Sequence, residues 1–136
     1  MDTARSSRRI SALRVGVQPS PTGTVVTLHG DLDAATTGLL ADELRPVYAE
    51  PHPPPVIIDL SDLQFCDSSG LGELLVTWRR MQRSGGKLAL SGVHGICERL
   101  LHRTGVHHIF AIYATVTEAQ AALAASRLSR QAPHLS

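Results

Sequence analysis

Asp59-Leu60-Ser61-Asp62-Leu63-Gln64-Phe65-Cys66-Asp67-Ser68-Ser69-Gly70-Leu71-Gly72 runs from a core strand, through a tight polar loop, into an amphipathic helix. Just upstream, Val56-Ile57-Ile58-Asp59-Leu60 is a continuous apolar run, the pattern of a strand buried on both faces of a sheet. Downstream, Leu71, Leu74, Leu75, Trp78 and Met81 recur at helical spacing, with Glu73, Thr77, Arg79, Arg80 and Arg83 on the other side. Gly85-Gly86 ends that helix.

On the N-terminal side, alternation in Ile10–Val17 predicts a half-buried strand, Pro19–Gly23 is turn chemistry, and Thr24–Leu28 is a second strand. Asp33 stands where an N-cap would stand before a helix carrying Leu39, Leu40, Leu44 and Val47, which Pro46 is expected to break at Arg45. Glu50–Pro55 is a stiff polyproline-like connector. On the C-terminal side, Lys87–Ser91 is a core strand, and Ile96, Leu100 and Leu101 followed by Gly105 mark a short helix. Ile109–Tyr113 is a strand, and an Ala-rich helix capped by Thr115 or Thr117 closes the domain near Leu128. Strands alternating with helices require crossover connections, so the class is α/β with a largely parallel sheet. Residues 1–9 read as a disordered basic arm, 10–128 as one domain and 129–136 as a flexible tail.

The 136 residues fit one domain, and 43% hydrophobic against 18% charged residues is the balance of a globular protein rather than a disordered one. No apolar run approaches the ~20 residues of a membrane span, and no secretory signal opens the chain. Two cysteines, Cys66 and Cys97, do not make a disulfide scaffold and suit a reducing cytoplasm. The net charge of +1 conceals an asymmetry, because Arg5, Arg8, Arg9 and Arg14 against Asp2 leave the rest of the chain slightly acidic. A body with 4% aromatics and no basic stripe is a poor nucleic-acid binder.

The loop holds the chemistry. Ser68 and Ser69 sit at the start of a helix, where unpaired backbone N–H groups and the helix dipole favour an acceptor or anion. A phosphoryl group there would add about −1.5 to −2 charge beside Asp67, stabilising the helix end while repelling an acidic partner surface. The plainer reading of Asp67 or Ser68 alone is an N-cap, and the same holds for Asp33. Other chemistries find no support. Cys66 and Asp67 stand where a nucleophile elbow needs glycine, Gly86-Lys87 and Gly70-Leu71-Gly72 lack the remaining glycines of phosphate loops, and His94, His102, His107 and His108 lack metal-site spacing and read as exposed loop residues. No metal or cofactor is expected.

Gly30-Asp31-Leu32-Asp33, Ile57-Ile58-Asp59-Leu60-Ser61 and Phe65-Cys66-Asp67-Ser68-Ser69-Gly70-Leu71-Gly72, in that order, resemble the STAS family and within it the bacterial anti-sigma-factor antagonists. Ser84-Gly85-Gly86-Lys87-Leu88, Arg99-Leu100-Leu101, Thr104-Gly105-Val106 and Ile109-Phe110 extend the resemblance over about residues 10–128. It implies a mostly parallel sheet of about five strands flanked by about four helices. It also implies a non-enzymatic cytoplasmic regulator of transcription that works by partner switching. The unphosphorylated antagonist binds an anti-sigma factor that is also a serine kinase and so frees a sigma factor; phosphorylation breaks the complex and a serine phosphatase resets it. Ser68 takes the acceptor position, and Asp67, Ser69, Gly70 and Leu71 follow the motif around it. Asp33 matches an acidic partner-contact position, and Asp31 one that varies between Asp and Glu. A monomer or weak dimer is expected. Cys66 in place of a common Met or other apolar residue, the Pro-rich connector and the arginine-bearing arm depart from the pattern, and bear on which partner is recognised. Two alternatives are a STAS scaffold or transporter-complex module without phosphorylation, and a weak nucleotide-binding protein.

Overall fold

In the computed structural model, residues 12–20 and 22–131 are described, the last six through their backbone alone. The expected arm at 1–9, the first two residues of the opening strand and the tail from 132 onward lie outside the described residues. The strands are β1 (Leu13–Gln18), β2 (Thr24–Leu32), β3 (Val56–Asp59), β4 (Leu63–Cys66), β5 (Leu88–Ser91) and β6 (Ala111–Tyr113). The helices are α1 (Thr37–Tyr48), α2 (Ser68–Arg83), α3 (Gly95–Thr104) and α4 (Val116–Gln131), with a 3₁₀ turn at Val106–His108.

Five strands follow the order β1-β2-β3-β5-β6, and β4 pairs with β2 off that path. Among the described residues only the β1–β2 pairing is antiparallel. β2 is the long strand and takes two short parallel partners in succession, β3 along Thr24–Thr27 and β4 along Gly30–Leu32. Gly30, with φ of 109°, sits where the register shifts, and a Cβ there would strike the Ala12 carbonyl.

Alternation divides the core between two faces. Val56, Ile58, Leu88 and Leu90 point into the larger cluster with Leu40, Leu44, Leu71, Leu74 and Leu101, whereas Ile57 and Ala89 meet Ala119 and Leu123 of α4. Burial on both faces is the physical reason that β3 is apolar throughout.

Several sequence expectations need correction. Strand β4 lies where a loop is expected; Leu63-Gln64-Phe65-Cys66 has no continuous apolar run like that of β3, and the extra length of β2 supplies the partner. Pro46 does not end α1 at Arg45, because Val47 and Tyr48 pack on the core and Ser84 Oγ donates to the Tyr48 carbonyl at 3.1 Å. Thr77, expected to face water, is buried and its hydroxyl donates to the Glu73 carbonyl at 2.9 Å. The closing helix reaches Gln131 and so takes in 129–131, and Thr115 caps it by accepting from the Glu118 amide at 3.1 Å. Strand β6 begins only at Ala111, after the 3₁₀ turn.

Replacing fully buried Ile58 should cost far more than replacing exposed Leu39. Ile58→Ala is expected to lower the unfolding free energy by about 2–5 kcal/mol and Leu39→Ala by about 0.5 kcal/mol or less, measured by urea denaturation.

Candidate functional site

The site lies where β2 and β4 end. Leu32 and Cys66 are register partners in parallel strands, so the next residues, Asp33 and Asp67, leave the sheet side by side. The Asp67 amide reaches back to the Leu32 carbonyl at 3.4 Å. Loops at the carboxyl ends of parallel strands are where α/β folds present their sites.

Asp67 is the N-cap of α2, with its Oδ1 accepting from the Gly70 amide at 3.0 Å. Its own carbonyl accepts from the Leu71 amide at 2.9 Å, closing the first helical turn. Gly70 is required sterically, because a Cβ there would strike the Leu32 carbonyl and come within 3.0 Å of Cys66 Sγ. Gly70 and Leu71, expected among the partner-binding residues, are buried in the free chain and hold the loop from behind.

Ser68 and Ser69 are exposed, and neither hydroxyl bonds to a described residue. Their amides stand at the open end of α2, where the first turn has no acceptor within the helix. An anion on Ser68 would meet these amides and the positive end of the dipole.

Asp33 differs from expectation. It lies four residues before α1 begins; the N-cap position is Thr36, whose side chain makes no capping bond. The Asp33 carboxylate instead accepts from the Ala35 amide at 3.0 Å and from the Thr36 hydroxyl at 3.3 Å, while the Asp33 amide donates to Thr36 Oγ1 at 3.0 Å. Thr36 also donates to the Asp31 carbonyl at 2.8 Å, so Asp31, Asp33 and Thr36 form one tight turn beside the Ser68 loop. Asp33 is only 7% exposed and Asp31 is half-buried.

A second network closes the neighbouring strands. Asp59 Oδ1 accepts from the Ser61 amide and from Ser91 Oγ, both at 3.2 Å, and Oδ2 accepts from Ser61 Oγ at 3.0 Å. The Asp-Leu-Ser motif therefore fastens the exit of β3 to β5.

Cys66 and Cys97 are free, buried thiols, joining β4 to α3 in the core. The hydrogen bond to Cys97 and burial push the Cys66 thiol well above the usual range, so it stays protonated. Burial also raises the Glu73 carboxyl on α2, with Arg80 opposing.

Sequence reasoning missed α3 as a wall of the site. Ile96, Arg99, Leu100 and Arg103 share one face of α3 and, with Asp67 and Ser68, line a groove of about 270 Å³ floored by Cys66. The i, i+3, i+4, i+7 spacing was available as a signal, but what it faces depends on tertiary structure. The histidines also differ from scattered loop residues: His102 lies on α3 and stacks on His107 at 4.0 Å, which meets His108 at 3.9 Å. No group of three or more His, Cys, Asp or Glu suited to a metal occurs among the described residues.

Packing at Gly70 yields a direct contrast with Gly72, whose added Cβ would meet nothing within 4 Å. Gly70→Ala is expected to destabilise the protein by about 1–3 kcal/mol, whereas Gly72→Ala should stabilise it by up to about 1 kcal/mol, both read by urea unfolding. Cys66 should resist alkylation at neutral pH in the native protein and react once the chain is unfolded, as read by intact mass.

The family model described as "STAS domain" matches residues 13–119. An anti-sigma F factor antagonist of Paenibacillus polymyxa is 32% identical over 89 residues, covering 65% of this chain and 76% of that protein. An anti-sigma-B factor antagonist of Bacillus subtilis is 28% identical over 102 residues, 75% of this chain and 92% of the relative. The crystal structure of an anti-sigma factor antagonist from Mycobacterium paratuberculosis superposes with a TM-score of 0.74 at 28% identity, covering 84% of this chain and 98% of that one. The match over most of the described residues, together with the six-stranded sheet and its loop, establishes that the chain belongs to the STAS domain family.

Proposed function

We propose that this protein is an anti-sigma factor antagonist that acts by partner switching, with Ser68 as its phosphate acceptor. The observation that carries the reading is the exposed Ser68 hydroxyl, without a partner among the described residues, on a helix start beside Asp67. A kinase needs a reachable hydroxyl, and a regulator needs one whose modification alters a surface without unfolding the chain. Ser68 meets both conditions, because the loop is held by Asp67, Gly70 and Leu71 rather than by the serine itself.

In this reading the unphosphorylated rim formed by Asp31, Asp67, Ser68 and Ser69 contacts an anti-sigma factor that is also a serine kinase. Asp33, Gly70 and Leu71 shape that rim from within. The phosphoryl group brings about −1.5 to −2 charge to a rim that already carries carboxylates, which repels an acidic partner surface and releases the partner. A serine phosphatase restores the binding form. The antagonists of Paenibacillus polymyxa and Bacillus subtilis support the class of partner by their likeness to this chain. The protein acts by binding, needs no cofactor and works in the cytoplasm, where sigma factors are used; no helix among the described residues is long and apolar enough to cross a membrane.

Calorimetric titration of the cognate anti-sigma factor with Ser68→Ala and Ser68→Glu tests the reading. Ser68→Ala should bind within about threefold of the parent, and Ser68→Glu should bind at least about tenfold more weakly, a difference of about 1.4 kcal/mol. Equal affinities for two variants with the same circular dichroism would refute it.

A further inference from the structure

We propose that Arg99 and Arg103 of α3 form a receptor for the phosphoryl group on Ser68, so that modification ties the start of α2 to α3 within one chain. The inference rests on Ser68 being the phosphate acceptor. Ser68 and Asp67 form one wall of the groove, and Ile96, Arg99, Leu100 and Arg103 form the other. Both arginines are exposed, and neither guanidinium bonds to or pairs with a described residue. Two unpaired cations in one groove repel each other, and a dianion between them relieves that repulsion.

Asp67 lines the same groove, but its Oδ1 accepts from the Gly70 amide and it makes no ion pair with either arginine. A phosphoryl group brings three strong acceptor oxygens, and guanidinium forks match phosphate geometry. Ile96, 44% exposed, and half-buried Leu100 keep the groove partly apolar, which strengthens charge pairing there. Once bound, the phosphoryl group occupies part of the groove and takes both cations from any partner that docks on α3. The switch then changes surface shape as well as charge.

Phosphoserine placed at position 68 during translation tests this without any kinase or anti-sigma factor. The phosphate is titrated by ³¹P NMR in three proteins: the parent, Arg99→Gln/Arg103→Gln, and Arg79→Gln as a control on the exposed face of α2. The carboxylates of Asp33, Asp67 and Glu73 and the α2 amides are common to all three. Cations favour the dianion, so the parent midpoint should lie about one pH unit below that of the double variant, with the control equal to the parent. Equal midpoints in the parent and the double variant would overturn the proposal, as would a shift in the control as large as in the double variant. Failure of the partner-switching reading would leave this titration unchanged and would appear instead in the anti-sigma factor titration.

Discussion

The whole site depends on one backbone pairing, the parallel register that sets Leu32 of β2 beside Cys66 of β4. From it follow the approach of the Asp67 amide to the Leu32 carbonyl and the close packing of Gly70 against that same carbonyl. The start of α2 is thereby fixed to the sheet by backbone contact, and a side chain at position 70 would force the two apart. With the main chain held in this way, the Ser68 hydroxyl bonds to no described residue.

Spatial division of labour makes a switch compatible with marginal stability. A domain of this size has a few to about 15 kcal/mol of net stability, so a modification that disturbed the core would threaten the fold. Here Leu71 of the motif and Leu74 of the helix that follows face the larger core, and Asp59 with Ser61 and Ser91 secures the exit of the neighbouring strands. Ser68 and Ser69 are left at the surface, and in the proposed switch a charge added to Ser68 would fall at the free end of a helix, where an anion is favourable rather than disruptive. The proposed regulation would therefore occupy residues adjacent to the structural ones with little conflict.

The sequence carried the α/β class, the buried strand β3 and the helix α2, because each is governed by local periodicity: three consecutive apolar residues for a strand covered twice, and a stripe from Leu71 to Met81 for a helix covered once. Ser68 and its capping neighbour were legible because a helix start has a recognisable chemistry. What failed was set by distant partners. Strand β4 exists because β2 extends past β3, the last turn of α1 survives Pro46 through the packing of Tyr48, and Asp33 turns its carboxylate to Thr36 rather than capping α1. Arg99 of α3 was visible as part of a motif and Arg103 was not singled out, and neither was legible as a neighbour of Ser68, because some thirty residues of helix and strand separate them in the chain.

The central claim is that Ser68 is the residue on which a kinase acts. Peptide mass spectrometry of the folded protein, after incubation with ATP and each candidate serine kinase of the same genome, tests it most directly. A single added phosphate mapped to Ser68 is the predicted result; a phosphate mapped elsewhere, or none with any of the kinases, would contradict it.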